Sequence, residues 1–308
     1  MTAPFVEIAD GHRLFVRDWG AGRPVVLLAG WAMDSSVWGE TMAMLNASGL
    51  RTVAYDRRGH GRSTDPGTVD YDRLADDLAA ILDALDLADV TLVAHSGASG
   101  EAIRYVTRHG ASRLRRIVFV GATAPCMIAG PLNPDGLPRE AVAAVMNQLA
   151  HDLSGWIDAN AEPFAPGASR RMLDWLGAMV LGTSRRIMLD FQRIIAEVDL
   201  RAEAAALDLP VTIIHGDRDV SAPLALTARR YAELIPRAEL LVYEGVAHGI
   251  MVTNAERLAG DIAQRICAPP TTDFSLSAAI PAGNSRAKSP VIRRGSDTSR
   301  GRVPRPGH

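Results

Sequence analysis

The chain has 308 residues, 47% of them hydrophobic and 22% charged, enough apolar material to bury a full core and too much for a disordered polymer. Its formal charge of −2 supplies no global basic field for nucleic acid or anionic lipid. The opening "MTAPFVEIAD" lacks a basic start followed by an apolar stretch, and runs such as "PVVLLAGWAM" are too short to span a bilayer, so a soluble, cytoplasmic protein without nucleic-acid or membrane partners is expected.

Two short strands are expected near 5–8 and 13–18, joined by "ADGHR", whose Asp10-Gly11 pair is a hairpin signal. The run "VVLLA" at 25–29 is apolar throughout and bounded by turn residues, the composition of a strand covered on both faces. The alternation continues through a helix near 36–48, the strand "RTVAYD" at 51–56, a helix from Asp70 to Leu85 and the strand "VTLVAH" at 90–95. A helix over 98–109 and the strand "LRRIVFVGA" follow. Buried strands alternating with helices predict a mostly parallel sheet, to which the opening hairpin adds an antiparallel edge.

Between 126 and 203 the alternation stops, and helical segments are broken by "GPLNPDGLP" and "FAPGAS". It resumes with the strand "PVTIIHG" at 210–216, a helix near 223–235, the strand "AELLVYEG" at 238–245 and a last helix near 253–267. Segment 126–203 therefore reads as a helical cap inserted into one α/β core made of 1–125 and 204–267, placed to cover a site at the carboxyl ends of the strands. From Ala268 the text is rich in Pro, Ser, Gly and Arg and has no apolar period. Its seven Lys/Arg against two Asp make it +5 and leave −7 for the rest, so 268–308 reads as a disordered basic tail. Cys126 and Cys267 cannot build a disulfide framework and are expected as small buried hydrophobes.

"VTLVAHSGASG" at 90–100 runs from a strand into a helix through a very short turn. Such a turn strains the backbone of its central residue and projects that side chain above the sheet, which here is Ser96. Ala94 and Ala98, the smallest side chains after glycine, let strand and helix approach. A serine nucleophile needs a base, and the base an orienting acid, from loops after later strands. "HGDRDVSAP" offers Asp217 and Asp219, and "EGVAHGI" offers His248, giving the order Ser, Asp, His associated with this turn. Backbone N–H groups for an oxyanion are available at Gly97 and at Trp31, which directly follows the strand at 25–29. "GHGRST" lacks the third glycine of a dinucleotide loop and no His-Glu-x-x-His pattern occurs, so neither cofactor nor metal is expected.

These residues give the chain a resemblance. From about 12 to 267 it resembles the α/β-hydrolase fold family, and within it the bacterial cofactor-free haloperoxidase/esterase group. "YDRRGHGRS" at 55–63 is similar to the loop after the fourth strand, "GEAIRYVTRHG" at 100–110 to that group's nucleophile helix, and "LTARRYAELIPRAELLVYEGVAHGI" to its C-terminal pattern. The resemblance implies an eight-stranded α/β-hydrolase sheet, puts the acid on Asp219 with Asp217 structural, and makes Arg57, Arg58 and His60 loop-packing residues. The chain departs from the family where Ala94 and Ala98 replace glycines, where Gly97 replaces a bulkier residue, at Ala29-Gly30 in place of His-Gly, and at Ala32 in place of a proline common in the peroxidase-like members. Gly97 and Ala32 bear on peracid formation more than on hydrolysis, and suggest room for a larger acyl chain.

The expected function is a serine hydrolase acting on a small-molecule carboxylic ester or lactone through Ser96, His248 and Asp219. Carbon–carbon hydrolysis, perhydrolysis on the same residues and a non-catalytic ligand-binding protein are the alternatives. A carboxylate nucleophile, as dehalogenases and epoxide hydrolases need, is absent at position 96. Trp31, Trp156, Trp175 and Met179 are candidates for the substrate pocket, with Phe164, Met172, Met188 and Phe191 as further apolar candidates, although helical spacing favours the core for most of the residues in the insertion. A homo-oligomer is left open.

Overall fold

The computed structural model describes residues 4–131 and 133–267; the tail expected over 268–308 lies outside the described residues. Eight strands form one sheet: β1 (Phe5–Glu7), β2 (Arg13–Trp19), β3 (Pro24–Leu28), β4 (Arg51–Tyr55), β5 (Val90–His95), β6 (Leu114–Val120), β7 (Val211–Gly216) and β8 (Ala238–Tyr243). Their order is β1-β2-β4-β3-β5-β6-β7-β8. The β1–β2 and β2–β4 pairs are antiparallel and every other pair is parallel, so the predicted mostly parallel sheet with an antiparallel edge is what forms.

Helices α1 (Gly39–Ala47), α2 (Tyr71–Ala84) and α3 (Ala98–His109) alternate with these strands. Between β6 and β7 come α4 (Arg139–His151), α5 (Leu153–Phe164), α6 (Arg170–Gly182), α7 (Arg185–Glu197) and α8 (Arg201–Ala205). Then follow α9 (Ala228–Leu234), α10 (Ile250–Thr253) and α11 (Ala255–Cys267). No helix among the described residues is long and apolar enough to cross a membrane.

The central strands β3, β5 and β7 are buried on both faces, as their apolar runs require. Along β3, Val26 and Leu28 join a cluster with Leu74, Leu78 and Ile103 of α2 and α3. Val25 and Leu27 point the other way, to Met42 and Leu45 of α1 and Leu258 and Ile262 of α11. Period-two alternation thus divides one hydrophobic run between two cores, each fully buried Val or Leu contributing about 1.5–3 kcal/mol.

Local chemistry moves several boundaries. The first hairpin is not closed by a two-residue turn: a 3-10 turn at Ala9–Gly11 connects its strands, with Gly11 at φ +73°. The helix expected from 223 begins only at Ala228, because the Thr227 hydroxyl bonds the carbonyls of Ala222 (3.2 Å) and Pro223 (3.0 Å) and holds the preceding residues in a loop. The last helix is divided at Asn254, which leaves helical geometry at φ −138°. Cys126 is half-buried and Cys267 is exposed at the end of α11, so the expectation that both are buried hydrophobes fails.

Candidate active site

Ser96 occupies the two-residue link between β5 and α3 with φ +54°, a left-handed conformation that costs a non-glycine residue about 1–2 kcal/mol. The adjoining strand end holds it there. Ser96 N–H donates to Val120 O (3.0 Å), and Thr123 N–H donates to the Ser96 carbonyl (3.4 Å). Ala94 and Ala98 are both fully buried beside the link, where a larger side chain would force strand and helix apart. Gly30 meets the same turn from β3: a Cβ there would lie 2.5 Å from His95 Nδ1 and 3.1 Å from Ser96 Cβ.

The loops after β7 and β8 bring Asp219 and His248 to this serine. His248 Nδ1–H donates to Asp219 Oδ2 (2.6 Å), and Ser96 Oγ–H donates to His248 Nε2 (2.9 Å). The carboxylate selects this tautomer, since only a protonated Nδ1 satisfies it. All three residues are buried, at 5–7% exposure, so water competes little for these bonds. Asp219 Oδ1 also accepts Ala222 N–H (2.7 Å), which fixes the carboxylate's plane. Asp217 instead binds Gly245 N–H through Oδ1 (2.7 Å) and stays outside the relay. A serine, imidazole and carboxylate so connected can pass the hydroxyl proton to the ring while the carboxylate stabilises the resulting imidazolium.

Two further histidines border the relay. His95 Nε2–H donates to the His248 carbonyl (3.3 Å), and the two rings lie 4.8 Å apart. His215 Nε2–H donates to Ala222 O (2.7 Å) and lies 3.3 Å from Asp219 Oδ2. Burial drives both pKa values down, reinforced in His95 by the neighbouring His248 and opposed in His215 by Asp219. Both therefore stay uncharged near neutral pH and leave Asp219 to His248.

Among the described residues, the backbone N–H groups of Trp31 and Gly97 have no hydrogen-bond acceptor. The Trp31 loop is held from two sides. Its indole Nε1–H donates to Met188 O (2.9 Å) on α7, and Arg57 Nη2 donates to Ala29 O (2.7 Å) just upstream. Arg57, Arg58 and His60 are buried packing residues: Arg57 pairs with Glu101 (2.7 Å), Arg58 with Asp77 (2.6 Å), and His60 Nδ1–H donates to Arg58 O (2.9 Å). No group of three or more His, Cys, Asp or Glu side chains that could hold a metal occurs among the described residues.

A cavity of about 300 Å³ lies over Ser96 and His248. Trp31, Trp156, Phe164, Leu176, Val180 and Ile195 supply apolar wall, and Thr123, Asn160, Gln192 and Ser221 polar wall. It lies at the small end of ligand sites and suits a compact, mainly apolar molecule. Trp31 and Trp156 meet edge to face with centroids 5.1 Å apart. Two of the predicted pocket residues do not line it. Trp175 is 37% exposed, one residue before the inward-facing Leu176–Gly177 step of α6, and Met179 is buried among core side chains. Met172, Met188 and Phe191 likewise pack elsewhere. The extra room expected at Gly97 is absent, because Ile195 fills it.

Sequence reasoning overlooked Met127, Leu137, Gln192 and Ile195 as lining residues. Gln192 left a trace, as a polar residue between the buried Phe191 and Ile195 of α7. Met127 and Leu137 lie in irregular chain, where no period exists to reveal them.

The sequence profile of the alpha/beta hydrolase fold matches residues 23–255. The chain is 38% identical over 261 residues to a non-heme chloroperoxidase from Kitasatospora aureofaciens, covering 82% of this chain and 95% of that protein. It is 33% identical to a bifunctional esterase/perhydrolase from Acinetobacter calcoaceticus, over 84% of this chain and 97% of the other. An esterase structure from Exiguobacterium antarcticum superposes with a TM-score of 0.83 at 26% identity, covering 87% of this chain and all of the other.

Proposed function

We propose, from the premise that the chain belongs to the α/β-hydrolase family, that it is a serine hydrolase of small apolar carboxylic esters or lactones using Ser96, His248 and Asp219. The observation that carries this reading is the relay from Ser96 Oγ through His248 to Asp219, with links of 2.9 and 2.6 Å, at the floor of the mainly apolar cavity. Ser96 Oγ attacks the ester carbon as its proton moves to His248 Nε2. The N–H groups of Trp31 and Gly97 take the oxyanion, and His248 returns the proton to the departing alcohol. A water molecule, deprotonated by His248, then releases the acid and restores Ser96. Residues 126–203 serve as the cap over this site and residues 1–125 with 204–267 as the core, a division supported by the cavity's walls from α5, α6 and α7.

A model aryl ester tests the proposal. Ser96→Ala should lower kcat by about 10⁴-fold or more with the fold intact, and a fluorophosphonate should label native Ser96 rapidly. Full turnover by Ser96→Ala, or a native chain that neither turns over esters nor takes the label, rejects the reading and favours a non-catalytic binding protein.

Similarity to a bifunctional esterase/perhydrolase favours a second reading on the same acyl-enzyme. Hydrogen peroxide in place of water would release a peracid and free Ser96. Peracid-dependent halide oxidation from acetate and peroxide, lost in Ser96→Ala, would establish it.

A further inference from the structure

Position 97 carries no side chain, yet the space beside it is filled. A Cβ on Gly97 would overlap Ile195 Cδ1, lie 2.9 Å from Ile195 Cγ1 and come within 3.5 Å of Phe191 Cζ. Ile195 is 4% exposed and lines the cavity that also holds Ser96 and His248. A helix from outside the β5–α3 turn thus provides the wall that a side chain on the residue after Ser96 would otherwise form.

That wall is firmly held. Phe191, one turn before Ile195 on α7, stands edge to face with Tyr71 at 6.0 Å and under the Arg57 guanidinium at 4.8 Å. Tyr71 Oη–H donates to the Gly97 carbonyl (2.8 Å), so the same cluster grips both the turn and the helix that fills it. At the start of α7, the Met188 carbonyl receives the Trp31 indole N–H (2.9 Å). These contacts anchor the face of α7 that sets Ile195 against Gly97.

We propose that Ile195 is a specificity-determining residue that bounds the acyl side of the pocket and restricts the enzyme to short-chain acids. The assignment rests on the serine-hydrolase reading above. In the tetrahedral intermediate the leaving oxygen must face His248 Nε2 to receive its proton, and the oxyanion must face the Gly97 and Trp31 amides. The remaining substituent on that carbon is the acyl chain, and Ile195 is the side chain standing against Gly97. Chain-length selection therefore comes from α7, through a residue that fills a void left by a glycine.

The test uses p-nitrophenyl acetate, butanoate and octanoate with the native chain, Ile195→Ala and Ile195→Val. Truncation should raise the octanoate-to-acetate ratio of kcat/KM, by roughly tenfold or more in the alanine variant and less in the valine variant. A ratio within about twofold of native in both variants overturns the assignment. The milder valine change keeps the test decisive if the alanine variant fails to fold. Acetate esters of increasingly long alcohols should respond little, and a shift confined to that series would place Ile195 on the alcohol side and overturn the acyl assignment. Independently of turnover, Gly97→Ala should lower Tm, and Ile195→Ala in the same chain should recover part of the loss. Equal damage in both backgrounds refutes the filling relationship. A native chain that hydrolyses none of these esters instead removes the serine-hydrolase reading, and the assignment with it.

Discussion

Arg57 and Glu101 form an ion pair of 2.7 Å, with 3% and 0% of their side chains exposed. It joins the loop after β4 to the helix that begins just after Ser96. The surplus bonding capacity is used: Tyr55 Oη–H donates to Glu101 Oε1 (2.5 Å), and Arg57 donates to the carbonyls of Ala29 (2.7 Å) and Gly30 (3.3 Å). The pair therefore spans from the Trp31 loop, which carries one free amide, to α3, which begins directly after Gly97 and the other.

Removing one partner leaves an uncompensated buried charge, which is more costly than never having built the pair. Glu101→Gln should destabilise the fold by about 3–5 kcal/mol in urea unfolding. Because Arg57 would then lose its anchor, kcat should fall as well. A variant with native stability and native kcat would show that the pair has no structural role.

His60 is 1% exposed, and burial, helped by the positive charge of Arg57, pushes its pKa down to about 3. The unfolded chain therefore binds this proton near pH 6.5 while the folded chain refuses it until about 3. Below 6.5 the unfolded state holds more protons, so stability falls as pH falls, by up to about 1.4 kcal/mol per pH unit from this residue. His60→Asn keeps a donor for Arg58 O and removes the titration. Urea unfolding between about pH 7 and 5 should show a flatter slope in this variant than in the native chain. Parallel slopes would contradict the assignment. His95 and His215 are present in both chains and cancel in the comparison.

Ala32 adopts φ +53°, whereas the proline ring locks φ near −65°. Ala32→Pro should therefore force the Trp31–Ala32 turn to rebuild, lowering stability by about 2 kcal/mol or more and disturbing the Trp31 amide. Ala32→Gly should be tolerated within about 1 kcal/mol, since glycine enters this region without steric cost. Calorimetry on the two variants separates the outcomes, and a proline variant as stable as native would mean that the turn has another accessible form.

Much of this arrangement was legible one segment at a time. Ser96 follows β5, Asp219 follows β7 and His248 follows β8. A parallel sheet brings all three strand ends to one edge, so strand order and short turn motifs were sufficient to bring the residues together. The two-sided burial of β3 was equally visible, because "VVLLA" has no polar face to offer water.

Tertiary packing decided what periodicity cannot express. A helical period tells which residues share a face and says nothing about what covers that face. Trp175 thus went to solvent and Met179 to the core, while Ile195 took the space above Gly97. The missing side chain at 97 suggested a wider pocket in the sequence. In the fold it is the opening that α7 occupies, because a close-packed interior fills its voids with whatever neighbour can reach them.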